Sequence, residues 1–155
     1  RLMPATIANR QRRVAVPTAR LRAAARRALR AVGRPGAAVE ILVAADAEMR
    51  RMNRAFRGVR RRTDVLAFPM EDPATGSLLL GQVVISAEAA LRQSRQLGVP
   101  LGLELELLLT HGVLHLLGYD DRDPVEADLM HRREREILES GRAPVPERLW
   151  TGLLR

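Results

Sequence analysis

The sequence predicts an α+β fold, a small mixed β-sheet packed with several helices. Three observations predict it. Short apolar runs rich in β-branched residues at 38–44, 64–68 and 78–85 read as strands. Longer stretches with apolar residues at helical spacing surround them. The length, 155 residues with 46% hydrophobic side chains, suits one buried core, so residues 1–155 are read as a single domain. Aromatic residues make up only 3%, so that core must be built from Leu, Val, Ile, Ala and Met.

In chain order, Pro17 to Val32 reads as a helix, with Leu21, Ala24, Ala25, Ala28, Leu29 and Val32 on one face and arginines between them. The glycines at 33 and 36 end it. Ala38 to Ala44 is a strand, and Asp46 is placed to cap the next helix, which runs to about Phe56. Arg57 to Arg62 is a basic loop. Asp64 to Phe68, closed by Pro69, and Leu78 to Ile85 read as hairpin partners, with a turn-rich loop between them. Ser86 begins a helix to Leu97. Gly98 and Pro100 separate that helix from a very apolar one, Leu101 to Leu117, which Gly118 stops. Asp123-Pro124 opens a last helix to about Ser140. The tail after Gly141, which holds Pro144 and Pro146, reads as irregular or as an extended cover.

Composition excludes several chemistries. The chain has no cysteine, which removes disulfides, thiolate nucleophiles and cysteine-based zinc sites, and it fits a reducing cytoplasm. A tight transition-metal site must then use the three histidines with carboxylates. No uninterrupted apolar stretch is long enough for a membrane span. The arginine-rich N-terminus is read as mature protein, because Pro4 and Pro17 break it and no serine precedes Ser77. Charge is unevenly placed: residues 1–62 hold 17 Arg and 3 acids, residues 63–155 hold 9 Arg and 15 acids. An arginine-rich half suggests a polyanion partner. Every basic position is Arg and none is Lys, which also fits drift in a GC-rich genome.

The informative segment runs from Thr110 to Asp121. His111 and His115, four apart on a helix, project from one face, so both imidazoles can reach one ion. A continued helix would carry Asp121 about 9 Å beyond His115 along the axis. Gly118 can instead take a left-handed conformation and let the chain fold back, returning Asp121, or alternatively Asp120 or Asp123, to the ion. Three protein ligands leave one position for water, as in catalytic zinc sites. Similar spacing occurs in zinc metalloproteases, but those need Glu directly after the first His, and here Gly112 stands there. His131, in a charged stretch with no partner at ligand spacing, reads as a surface residue.

The stretch His111-Gly-Val-Leu-His115-Leu-Leu-Gly118-Tyr119-Asp120 resembles the His-Gly-x-Leu-His-Leu-x-Gly-Tyr-Asp-His signature of the YbeY endoribonucleases, bacterial ribosomal-RNA maturation factors. Met52-Asn53-Arg54-Ala55-Phe56-Arg57 resembles the family's Leu-Asn-x-x-Tyr-Arg, and Thr63 to Pro69 its Thr-Asp-Val-Leu-Ser-Phe-Pro. The resemblance covers about residues 40–140. It implies an α+β fold with one divalent ion, zinc, on the signature helix. It also implies hydrolytic cleavage of single-stranded RNA, with roles in 16S rRNA 3′-end maturation and ribosome quality control. Carried over by position, His111 and His115 are metal ligands and Arg57 contacts the substrate phosphate. The implied partners are single-stranded ribosomal RNA and the ribosome or its small subunit, in the cytoplasm, with neither membrane nor DNA.

Two positions depart from the family pattern. The third histidine falls on Asp121, an acceptable zinc ligand whose charge makes bound water less acidic and shifts preference toward harder ions. The family's Gly-Asp in the second strand of the hairpin is Gly81-Gln82 here. These departures leave a second reading, a non-catalytic ribosome-associated RNA-binding protein with a structural or degenerate metal site.

Overall fold

The computed structural model describes residues 5–55, 64–70, 78–140 and 145–151. Among these, four strands form one sheet: β1 (Ala5–Asn9), β2 (Ala38–Ala44), β3 (Val65–Pro69) and β4 (Leu79–Ser86). Six helices pack about it: α1 (Thr18–Ala31), α2 (Asp46–Ala55), α3 (Ala87–Leu97), α4 (Leu101–Leu116), α5 (Pro124–Glu139) and α6 (Glu147–Thr151). The sheet order is β1-β2-β4-β3. β1, β2 and β4 are parallel, and β3 pairs antiparallel with β4. The α+β class, the mixed sheet and the β3–β4 pairing agree with the sequence reading. The basic loop after α2 and the loop between β3 and β4 lie outside the described residues.

β1 and α6 are additions. β1 has one large apolar residue, Ile7, and buries only Ala5, so its own pattern carries no strand signal. It is specified by its ladder with β2, and α1 supplies the crossover that two parallel neighbours need. α6 is five residues long, too short to display helical periodicity, and is held by burial of Leu149 and Trp150.

Strand alternation divides the core. Val39, Ile41, Val43, Val83 and Ile85 face the side covered by α1 and α4. Leu42, Ala44, Leu66 and Val84 face the other side, under Met49 of α2. α4 is buried almost all round. One flank, with Leu105, Leu108, Leu109 and Val113, joins the sheet and α1. The opposite flank, with Leu103 and Leu107, joins Leu138 of α5 and Trp150 of α6. An apolar helix without a polar face is the expected centre of such a stack. No single helix among the described residues is long and apolar enough to cross a membrane.

α4 crosses β4 at Gly112. A Cβ there would lie 2.5 Å from Val83 Cγ1, so close packing of helix on strand requires glycine. α4 also buries Glu106, whose carboxylate takes Arg20 on one oxygen and Arg27 on the other, the latter at 3.0 Å. Part of the N-terminal arginine excess therefore serves the fold: a buried carboxylate stripped of such partners costs about 3–5 kcal/mol.

The N-termini of α2 and α3 stabilise one another. Ser86 caps α3 by accepting from the Ala89 N–H at 3.1 Å, as expected. Asp46 has a different role from the helix cap the sequence suggested. Its carboxylate takes the Ser86 hydroxyl at 2.6 Å and Arg92 at 2.8 Å, while its N–H donates to Glu88 at 2.9 Å. Partial burial pushes the Asp46 carboxyl up, but the bonds from Arg92 and Ser86 outweigh this and hold it below its usual value of 3.8.

Gly112→Ala is expected to destabilise the protein by about 1–3 kcal/mol through overpacking, with part of the loss recovered in the Gly112→Ala/Val83→Ala double variant, as read by urea unfolding. Because the Asp46 value is depressed in the folded state, its contribution is present above the ordinary carboxylate range and fades as pH falls through the folded value. Asp46→Asn should therefore lower the unfolding midpoint at pH 7, and the difference from wild type should shrink in acid. A difference independent of pH would contradict the ion-pair account.

Candidate metal centre

α4 ends in a way that turns the chain back on itself. Gly118 adopts φ 98°, a left-handed conformation in which a side chain would be strained. Its N–H donates to the His115 carbonyl at 3.0 Å, and the Tyr119 N–H donates to the Leu114 carbonyl at 3.1 Å. This pair of bonds is the Schellman closure of a helix, with Tyr119 packed back against the core. Asp121, two residues further, returns to the histidine pair.

His111 Nε2 and His115 Nε2 lie 3.0 Å apart. Asp121 Oδ2 is 3.4 Å from the first and 3.7 Å from the second. Ligands about 2.05 Å from a tetrahedral ion are about 3.3 Å from one another, so these three separations match one face of such a polyhedron. His111 is 2% exposed by side chain, His115 23% and Asp121 15%, so the face opens toward solvent on the His115 side.

The other nitrogen of each ring shows why the Nε2 atoms converge. His111 Nδ1 is hydrogen-bonded to Oε1 of Glu134, a carboxylate on α5 with no exposed surface. His115 Nδ1 meets the Tyr119 carbonyl at 3.0 Å. A carboxylate and a carbonyl only accept, so both Nδ1 atoms carry hydrogen. In the neutral rings both Nε2 atoms are then bare lone pairs, and both face the Asp121 oxygen. Three acceptors converge with no donor among them, an arrangement that calls for a cation. The neighbouring His111 and His115 imidazoles hold the Asp121 carboxyl well below the usual carboxylate range, against the opposing effect of burial, so it is ionised. Burial pushes the Glu134 carboxyl up, but the bonds from His111 and His131 outweigh this and hold it below its usual value. Two imidazole nitrogens with one carboxylate oxygen suit zinc and its neighbours better than magnesium or calcium, which prefer all-oxygen shells.

Of the three neighbouring aspartates, Asp121 is the one that joins the histidines. Asp120 pairs with Arg122 at 2.6 Å, and Asp123 caps α5 by accepting from the Val125 N–H at 2.8 Å. Gln82 pairs with Phe68 across the β3–β4 ladder, and Phe68 belongs to the α2 side of the sheet, the face away from α4. Arg57 lies outside the described residues. His131, expected at the surface, is drawn inward instead. Its Nδ1 is 3.2 Å from Glu134 Oε2, and its ring stacks near His111 with centroids 6.5 Å apart. Glu134 escaped the sequence reading, although a signal existed. It falls on the apolar stripe of α5 with Met130, Ile137 and Leu138, and a carboxylate on a buried face needs a partner.

Glu134→Gln is expected to weaken zinc binding by about 10–100-fold with the fold intact, because the bond that fixes the His111 ring loses its charge. Asp121→Ala should weaken it further. Chelator competition measures both, and unchanged zinc affinity in Asp121→Ala would remove Asp121 from the ligand set.

The family model described as Endoribonuclease YbeY matches residues 6–142. A protein named Endoribonuclease YbeY from Geobacter metallireducens is 41% identical over 141 residues, covering 88% of this chain and 94% of that one. Another of that name from an Anaeromyxobacter strain is 46% identical over 118 residues, covering 76% of this chain. The chain spans 62% of that relative's length. The solution structure of a Thermotoga maritima protein shares the fold, with TM-score 0.58 and 20% identity over 96% of this chain and 90% of that one. The profile match over most of the length, together with these relatives, shows that the chain belongs to the YbeY endoribonuclease family.

Proposed function

We propose that this protein is a metal-dependent endoribonuclease that hydrolyses phosphodiester bonds in single-stranded RNA, with one divalent ion, zinc, held by His111, His115 and Asp121. The observation that carries the reading is the convergence of three acceptor atoms at ligand separations beside a solvent opening. Relatives that bear the name endoribonuclease support the choice of reaction.

When bound at these atoms, a divalent ion supplies Lewis acidity for activating water and positive charge against a phosphate oxygen. The protein's own residues do the rest. Glu134 and the Tyr119 carbonyl fix both imidazoles in the tautomer whose Nε2 is unprotonated. Asp121 adds one negative charge to the ligand set. In this reading Arg57 clamps the phosphate through paired N–H donors and stabilises charge developing on it. Aromatic side chains are few, so base stacking is limited and cleavage is expected to tolerate many sequences. The family resemblance points to ribosomal RNA, with 16S rRNA 3′-end maturation and ribosome quality control as the setting. The small subunit would be the partner and the cytoplasm the compartment.

Labelled single-stranded RNA incubated with the zinc-loaded protein should be cut, and a duplex of the same sequence should be spared. His115→Ala should lose at least 100-fold in rate, as expected when a metal ligand goes, and Arg57→Ala about 10²–10³-fold. Zinc-loaded wild type that leaves RNA intact while binding it would favour a non-catalytic RNA-binding role.

A further inference from the structure

α1 carries two stripes of arginine with different surroundings. Arg20 and Arg27 lie on the flank toward α4 and are bound by buried Glu106. Arg22, Arg26 and Arg30 recur every four residues on the outer side, Arg26 and Arg30 exposed and Arg22 partly so. None of these three pairs with a carboxylate among the described residues, whereas Arg10, Arg13 and Arg132 pair with Glu48, Glu88 and Asp128.

We infer that the Arg22–Arg26–Arg30 ridge is a binding track for the phosphate backbone of single-stranded RNA, separate from the metal centre. The choice of RNA over other polyanions rests on the function proposed above; the track itself rests on α1. Residues four apart on a helix advance about 6 Å along the axis and turn about 40°, so three guanidiniums form a gently winding row about 12 Å long. Their spacing is comparable with that of neighbouring phosphates on an extended strand, and each guanidinium presents paired donors suited to a phosphate. The residue between them on the exposed face is Ala23, so the ridge offers neither an aromatic platform for bases nor a large apolar side chain for insertion into lipid. Such a surface recognises charge without reading sequence. Its C-terminal end approaches the metal helix's surroundings. The Ala31 carbonyl, next to Arg30, accepts from Arg133 of α5, the neighbour of Glu134. A strand lying along the ridge would thus be led toward the α5 side of the centre.

The test compares full-length wild type with Arg22→Gln/Arg26→Gln/Arg30→Gln and with the charge-matched control Arg10→Gln/Arg13→Gln/Arg132→Gln. Anisotropy of a labelled single-stranded oligouridylate of about 20 nucleotides, in EDTA to prevent cleavage, gives the salt dependence of binding. Loss of three phosphate contacts should lower the slope of log K against log[salt] by about 2 and weaken binding about tenfold or more at 0.1 M salt. The control should change much less. Zinc affinity and cleavage of a tetranucleotide, too short to span ridge and centre, should be unchanged in the ridge variant. An unchanged slope, or equal losses in ridge variant and control, would overturn the track. So would wild type that binds phosphatidylserine vesicles, but not RNA, through these three residues. Failure of the hydrolytic reading is seen separately, as absent cleavage by a wild type whose ridge-dependent binding persists.

Discussion

A histidine with 2% of its side chain exposed must have both ring nitrogens satisfied, and that requirement organises the candidate centre. His111 sits near the end of α4, a helix enclosed by sheet, α1, α5 and α6. On one side its ring finds Glu134, a carboxylate brought in by α5 with no exposed surface. On the other it finds a lone-pair cluster shared with His115 and Asp121. Removing the Glu134 contact would free the ring to choose either tautomer. Removing the reversal at Gly118 would leave two histidines on a helix without the Asp121 carboxylate beside them. The site is therefore a property of three elements at once: the apolar helix, its Schellman closure, and a charged helix that turns one carboxylate inward.

Charge is arranged to match. Two of the buried carboxylates in and around α4 are partnered by neighbouring elements. Glu106 lies within the helix and is neutralised by Arg20 and Arg27 of α1. Glu134 lies against its end and is hydrogen-bonded by His111 and His131. With Asp121 ionised, the centre carries the negative charge that a divalent cation balances, and burial strengthens that attraction relative to water. The arginine surplus of the N-terminal half accordingly divides into a share paired with Glu106, Glu48 and Glu88, and a share on the outer face of α1 that meets no carboxylate among the described residues.

Much of this is legible in the amino-acid sequence alone. The strands over 38–44, 64–68 and 78–85 and the helices between them follow from period and punctuation, because each buries its own apolar pattern. The two histidines, the glycine break and a returning aspartate were readable from spacing alone. The family pattern favours Asp121 over Asp120 and Asp123, and in the structure Arg122 occupies the first of these neighbours and the α5 N-terminus the second. β1 and α6 were invisible because their partners, rather than their residues, specify them. His131 was read as a surface residue because charged neighbours surround it in sequence, whereas in space the inward turn of Glu134 carries it along. The Glu106 ion pairs join residues 79 and 86 apart in sequence, beyond any local pattern.

The most direct measurement is a zinc-edge anomalous difference map from crystals of the zinc-loaded protein. A single peak is predicted within about 2.0–2.2 Å of His111 Nε2, His115 Nε2 and an Asp121 oxygen, with both Nδ1 atoms keeping their bonds to Glu134 and the Tyr119 carbonyl. A peak elsewhere, or coordination through Nδ1 with Asp121 turned away, would contradict the account.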